Sequence, residues 1–350
     1  MAASLVRRVV VVGAGLFGLV IASRLHDLGI TPLVASRRGR VENALFPPGP
    51  HDIRMDAEDE TSVRAALRSG DVIVDAAGPF SDRTTRLVRI ALERGCDVID
   101  IAESLAWSEA ILALGRRATD AGVSLFPACS AVAAVAGACV RATGFASPTE
   151  VDLFLAPAAA ETASRGTTRG LLTSVGATIR TLRGGRLTSV RGYGEQRSFP
   201  LFGDSRRRGG IVEQAGAVLL PRSWPSLRRA EFWVDPNAPL ARIGLAAAVR
   251  APVLAALARA VAPVIGPGPL ARHDGVFAVE VGDDSRRSSY VFSAARFSYL
   301  VAVEPAVIVA EALARGATFA AGVVLPHAQV DPDTLFARLR GLGIDIAVSN

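Results

Sequence analysis

The chain contains no lysine, so its 39 basic side chains, the histidines apart, are all arginines. That absence excludes a lysine Schiff base, a phosphate-binding P-loop lysine and the Tyr-x-x-x-Lys pair of short-chain dehydrogenases. Cysteine is scarce as well. Cys96, Cys129 and Cys139 show no C-x-x-C spacing and no companion histidine cluster, so neither a zinc site nor a disulfide framework is expected. Three unpaired thiols fit a reducing compartment, and a cytoplasmic location is the expectation. No apolar run is long enough to span a bilayer. The richest, Leu245 to Ile265, is interrupted by Arg250, Pro252, Arg259 and Pro263, short of the roughly 20 apolar residues required. It reads as an amphipathic helix pair, with attachment to a membrane surface as the lesser alternative. Only Met1 to Arg8 precede the first strand, so no cleavable signal peptide is expected. Internal repeats and low-complexity linkers are also missing.

What is present is the composition of a compact α/β protein: 350 residues, 50% hydrophobic and 21% charged. A chain of this length points to two domains. The formal charge of +6 is spread along the sequence, Arg206-Arg207-Arg208 being the longest basic run. That run reads as a solvated loop, and no nucleic-acid partner is expected.

The first third carries the clearest pattern. Val9 to Val12 is a short β-branched run, as in a strand buried on both faces of a parallel sheet. Gly13-Ala14-Gly15-Leu16-Phe17-Gly18 follows directly, and a helical pattern runs from Leu16 to Leu28. In the order strand, turn, helix, the first glycine permits the tight turn. The second lets the backbone approach a pyrophosphate, and the third lets helix pack on strand, with the helix N-terminus facing the phosphates. The second strand, Pro32 to Ser36, ends in Arg37-Arg38. A protein that binds NAD usually places an acid there for the ribose 2′-OH. Here the acid is lacking, and a hydroxyl with guanidinium groups suits a 2′-phosphate, hence NADP; the alternative is a pair of ordinary exposed loop arginines. Further strands are expected at Asp52–Asp56, Asp71–Ala77, Asp97–Ile101 and Val123–Phe126. Helices are expected at Glu60–Ser69, Thr84–Arg94 and Ser108–Ala121. Alternation of this kind predicts a Rossmann-type doubly wound parallel sheet.

The motifs VVVVGAGLFG, ASRR, DVIVDAAGPF, ALERGCDVIDIAES, EPAVIVAEALARGATFAAGVVLP and VDPDTLFARLRGLGI, in this order, resemble the saccharopine dehydrogenase-like reductases over almost the whole chain. The resemblance implies a nicotinamide cofactor, usually NADP, over the AGPF turn, and a second α+β domain with a mixed sheet carrying substrate contacts. It places cofactor contacts on Gly13, Ala14, Gly15, Leu16, Phe17, Gly18, Ser36, Arg37, Asp56, Ala77, Gly78 and Pro79, to which the strand-end reading adds Arg38. Where the family has an Asp-Pro-Gly or Ser-x-Pro type turn after the sixth strand, this chain reads Pro127-Ala128-Cys129-Ser130. No carboxylate is carried over there. The family's Asp-x-x-Gly-Glu becomes Asp100-Ile101-Ala102-Glu103, keeping both acids.

The expected division is 1–128 for the cofactor domain, 129–300 for a substrate or dimerisation domain, and 301–350 for a segment packing back on the first, around a helix from Pro305 to Ala314. Beyond Val151, strands are expected at Asp152–Leu155, Arg186–Arg191, Ala230–Val234, Val276–Val281 and Ser289–Ala294, with a helix over Gly166–Leu182. Asp100 and Glu103, at the carboxyl end of a strand, are catalytic candidates, or else cap the following helix. Arg169 could bind a substrate carboxylate and Tyr193 could donate a proton, though solvated and core roles compete. His26, His51, His273 and His327 are not paired with a carboxylate by sequence, and Cys129 reads as buried and inert. The expected activity is NADPH-dependent reduction of a C=N or C=C bond in a small molecule. An inactive nucleotide-binding protein and a membrane-associated lipid enoyl reductase are the alternatives, and a homodimer is left open.

Overall fold

The computed structural model describes residues 6–39, 52–157, 174–201, 205–235, 249, 275–295 and 298–349. They divide into two compact units. One comprises residues up to Ala134 with Ala302–Val330, the other Val135–Val301 with Asp331 onward.

In the first unit, β1 (Val9–Val12) is the centre of the sheet because its four valines tolerate burial on both faces. Each buried valine contributes about 1.5 kcal/mol or more. Strands β2 (Leu33–Ser36), β3 (Asp52–Arg54), β4 (Val72–Asp75), β5 (Asp97–Asp100) and β6 (Ser124–Phe126) all pair in parallel, in the order β6-β5-β4-β1-β2-β3. This is the doubly wound order, with its switch point beside β1. The connecting helices are α1 (Leu16–Asp27), α2 (Glu60–Ala66), α3 (Arg86–Glu93), α4 (Leu105–Ala113) and α5 (Gly115–Asp120). The single helix expected over Ser108–Ala121 is therefore two, with the break at Leu114. It also starts earlier, because the Ser104 hydroxyl caps it by accepting the Trp107 N–H at 3.3 Å. A further strand, β15 (Gly322–Val323), comes from far along the chain and joins parallel to β6.

The second unit holds a mixed sheet, built among the described residues from nine strands. These are β7 (Glu150–Ala156), β8 (Thr178–Arg183), β9 (Arg186–Arg191), β10 (Gln196–Pro200), β11 (Arg206–Val212), β12 (Arg229–Val234), β13 (Gly275–Gly282), β14 (Arg287–Ala294) and β16 (Asp345–Ser349). β7 and β12 run parallel and the other pairs antiparallel. On one face Phe154, Phe199 and Trp233 pack together with Val276 and Val291. Beside them Glu280, Asp152 and Glu231 form a buried row in register. Arg197 bridges Asp152 and Glu280, Arg229 reaches Glu150 and Asp152, and Arg183 pairs with Glu231.

Three expectations are corrected here. The described part of the helix expected over Gly166–Leu182 is a turn followed by β8. Alternation in Thr178-Ile179-Arg180-Thr181-Leu182 prevails, and Gly184 and Gly185, at φ 57° and 75°, close a two-residue hairpin with Arg183 opposite Arg186. Arg206–Arg208 is not a loop but the start of β11, paired with β10. Finally, the segment 301–350 does not pack on the first unit alone. The helix Leu300–Ala314 extends the expected one, and residues 302–330 belong to the first unit. Residues 331–350 join the second, where Phe336 meets Tyr290 and Phe292 and β16 pairs with β14. The amphipathic stretch Leu245–Ile265 lies outside the described residues except Val249, and among the described residues no helix is long and apolar enough to cross a membrane.

Candidate functional site

The carboxyl ends of the first unit's strands bring most of the expected residues together. Gly13 has φ +105°, and a Cβ there would lie 2.8 Å from the Ala76 carbonyl. Only glycine lets the loop lean on β4. At Gly18 an added Cβ would meet the Gly13 oxygen at 1.9 Å, so the third glycine is set by helix-to-loop packing. Gly15 differs from both. It has an ordinary φ of −83°, and a Cβ on it would meet nothing within 4 Å. The space before it is open, and α1 begins there without a side-chain cap. Ala14, Leu16 and Phe17 complete this loop, all half-buried. The first N–H groups of α1 have no intrahelical acceptors, which makes this edge an anion cradle with the positive end of a helix behind it. A dinucleotide pyrophosphate fits it.

At the end of β2, Ser36 folds a turn. The Gly39 N–H donates to the Ser36 hydroxyl and carbonyl oxygens, both at 3.1 Å. Arg37 and Arg38 are exposed on that turn. Arg54, the in-register neighbour of Ser36 on β3, is exposed too, and Gly39 backs directly onto it. Among the described residues none of these three arginines makes an ion pair. Asp56 shapes the next loop, its carboxylate accepting the Glu58 N–H at 3.0 Å while the Asp56 N–H donates to Ser62 Oγ at 3.0 Å.

After β4 comes the turn Ala77-Gly78-Pro79, with Gly78 exposed. Beneath it lies Asp75, fully buried, accepting the Ala77 N–H at 3.1 Å and the Arg83 guanidinium at 2.7 and 2.8 Å.

Next along the sheet are the two candidate acids, and their surroundings separate them. Asp100 is buried. Its Oδ1 accepts the N–H groups of Ala102 (3.0 Å) and Ala128 (2.9 Å), and its Oδ2 accepts the Trp107 indole N–H (3.1 Å). Its carbonyl takes the Cys129 N–H at 2.7 Å. Burial pushes its carboxyl up to about 7, against the pull of these donors. With its oxygens committed, Asp100 braces the turn after β6, where Ala128 sits at φ +48°; the expected proton-handling role passes from it. Glu103 is half-buried and, among the described residues, makes no hydrogen bond or ion pair. Desolvation alone raises its carboxyl to about 7. The alternative capping role is closed to both, since Ser104 is the cap.

Residues 9–126 match the family model described as the saccharopine dehydrogenase NADP binding domain. Among solved structures, apo saccharopine dehydrogenase (L-Glu forming) from Saccharomyces cerevisiae has a TM-score of 0.65 at 12% identity, over 98% of this chain and 99% of that one. GenD2 from gentamicin A biosynthesis, in complex with NAD, gives 0.42 at 16% identity, over 100% and 99%. An oxidoreductase from Agrobacterium radiobacter, in complex with NAD+, L-tartaric acid and magnesium, gives 0.40 at 10%, over 96% and 94%. No curated protein matches the sequence.

The chain carries a saccharopine dehydrogenase NADP binding domain over residues 9–126. Its first unit is a nicotinamide-nucleotide-binding domain, and its fold is that of an NAD(P)-dependent oxidoreductase. Two catalytic candidates lie elsewhere. Arg169 is outside the described residues. Tyr193 is in the second unit, buried at φ +56° with its ring filling the space that a Cβ on Gly210 would need. Burial, with the Asp235 carboxylate adding to it, pushes its phenol well up. Cys129 is buried, its thiol raised by desolvation. His26 is in α1 and His327 in the helix Pro326–Gln329, while His51 and His273 are outside the described residues. Sequence reasoning missed Arg54, Arg83 and Trp107. Arg54 becomes visible only through the register of β2 with β3, whereas Arg83, three residues beyond Phe80, could have been noticed as a cation beside the AGPF turn.

Proposed function

We propose that the chain is an NADPH-dependent reductase acting on a C=N or C=C bond of a small-molecule substrate. The observation that carries this reading is Glu103, a carboxyl without a partner among the described residues and raised to about 7, at the same sheet edge as the glycine loop and the AGPF turn. NADPH, when bound, supplies the hydride. The open space at Gly15 and the N-terminus of α1 would take its pyrophosphate, and Arg37, with Arg38 and Arg54 beside it, would take the 2′-phosphate in place of an acid on the ribose hydroxyl. Glu103 would hold the proton for the atom that gains charge as hydride arrives, its raised value keeping it protonated near neutrality.

The test is NADPH oxidation against a panel of small cyclic imines and enoyl compounds across pH 5–9. Because the acid must be protonated, kcat/KM is expected to be level below about pH 7 and to fall about tenfold per unit above it. In Glu103→Gln the rate should drop by about 10²–10⁴ and the profile flatten. A variant that keeps both rate and profile contradicts the role of Glu103. NADPH binding without turnover on any compound would return the nucleotide-binding alternative.

A further inference from the structure

Arg83 is heavily engaged within the first unit and has no part in the reading above. Its side chain is only 8% exposed. One guanidinium nitrogen, Nη1, donates to both Asp75 oxygens, at 2.7 and 2.8 Å, and to the Ala77 carbonyl at 3.0 Å. Nε donates to Glu58 Oε1 at 3.3 Å. The other nitrogen, Nη2, is buried without a hydrogen-bond acceptor among the described residues. The guanidinium carbon lies 5.5 Å from the Phe80 ring centre and 5.3 Å from that of Trp107, so the ring faces receive its charge. Trp107 in turn donates to Asp100. One cation thus touches the loop after β3, the turn after β4 and, through Trp107, the end of β5.

We propose that Arg83 is a positioning residue that fixes the Ala77–Pro79 turn, and with it the seat of the nicotinamide half of the cofactor, separately from the seat of the adenosine half. This rests on the cofactor reading given above. The separation follows from what remains when Arg83 is removed. Glu58 keeps the Thr84 N–H and hydroxyl, at 3.2 and 2.7 Å, and Asp56 keeps Ser62 and the Glu58 N–H. The adenosine side stays braced. The Ala77 carbonyl loses its guanidinium donor, and Asp75, whose carboxyl burial already pushes above its ordinary range against the pull of Arg83, is left without its cation.

Two variants test this. Arg83→Met strands a buried carboxylate and can lose stability for that reason alone, so the double variant Asp75→Asn, Arg83→Met, which removes both charges, is the decisive one. Calorimetric titration of each with NADPH and with 2′,5′-ADP, the adenosine half alone, is compared with wild type, together with NADPH fluorescence as a report on the nicotinamide surroundings. The expected result is at least a tenfold loss of NADPH affinity and loss of the fluorescence enhancement, with 2′,5′-ADP affinity within twofold. Unchanged NADPH affinity in the double variant, or equal losses for both ligands, overturns the positioning role. Failure of the wild type to bind NADPH overturns the cofactor reading itself, and the inference with it.

Discussion

Two carboxyls three residues apart, Asp100 and Glu103, are raised to the same range for one reason, burial, but differ in their partners. Asp100→Asn keeps the shape but turns one acceptor into an NH2 that faces an N–H donor. The variant is expected to lose about 1–3 kcal/mol of stability in chemical denaturation; an unchanged midpoint would mean the three bonds to Asp100 contribute little. Glu103 has the opposite signature. Its folded value of about 7 lies above the ordinary 4.5, so between those pH values the folded protein holds a proton that the unfolded chain has released. Stability from this group therefore falls as pH rises through that window and levels off above it. Glu103→Gln, which has no charge to bury, should gain in melting temperature relative to wild type on going from pH 5 to pH 8. A constant difference across that range would show that Glu103 titrates normally. Both acids were legible as candidates from their place at a strand end. Their division of labour was not, because it depends on Ala128 and Trp107, whose N–H groups reach Asp100 only after folding.

Among the elements, the strand–loop–helix unit around Gly13 to Gly18 was the most legible, since each step is local and Gly13 and Gly18 each have a steric cause. The structure refines the causes into a prediction. Gly15→Val places a branched side chain in open space at a permitted φ, so the fold should survive and the cofactor be lost. Gly18→Val drives its Cβ into the Gly13 carbonyl, so the protein itself should be destabilised. Melting curves with and without NADPH separate the two, and a Gly15→Val protein still shifted by NADPH would mean that the loop does not hold the pyrophosphate. The second sheet was legible in part. β7, β12, β13 and β14 announced themselves by apolar alternation, whereas β10, with a single buried phenylalanine, and β11, rich in arginine and glycine, did not. Over its described part, residues 174–182, the expected helix gives way to a turn and β8, because the Gly184-Gly185 pair that follows is a strong hairpin signal. β15 and β16 are short strands that pair with partners far away in sequence, and nothing local marks them.

For the molecule as a whole, the excess of arginine does not act as one field. In the second unit Arg183, Arg197 and Arg229 are engaged by Glu231, Asp152, Glu280 and Glu150, and in the first Arg83 is engaged by Asp75 and Glu58. Against that background the proposed function assigns the preference between two cofactors that differ by one phosphate to the exposed arginines at the end of β2. The most direct measurement is the pair of dissociation constants for NADPH and NADH, by calorimetric titration of the wild type and of Arg37→Asp. The account predicts at least tenfold tighter binding of NADPH to the wild type, equivalent to about 1.4 kcal/mol. In Arg37→Asp that preference should fall by roughly two orders of magnitude or reverse, as a carboxylate replaces a donor fork beside the 2′-phosphate. Equal affinities in the wild type, or a preference that Arg37→Asp leaves untouched, would contradict it.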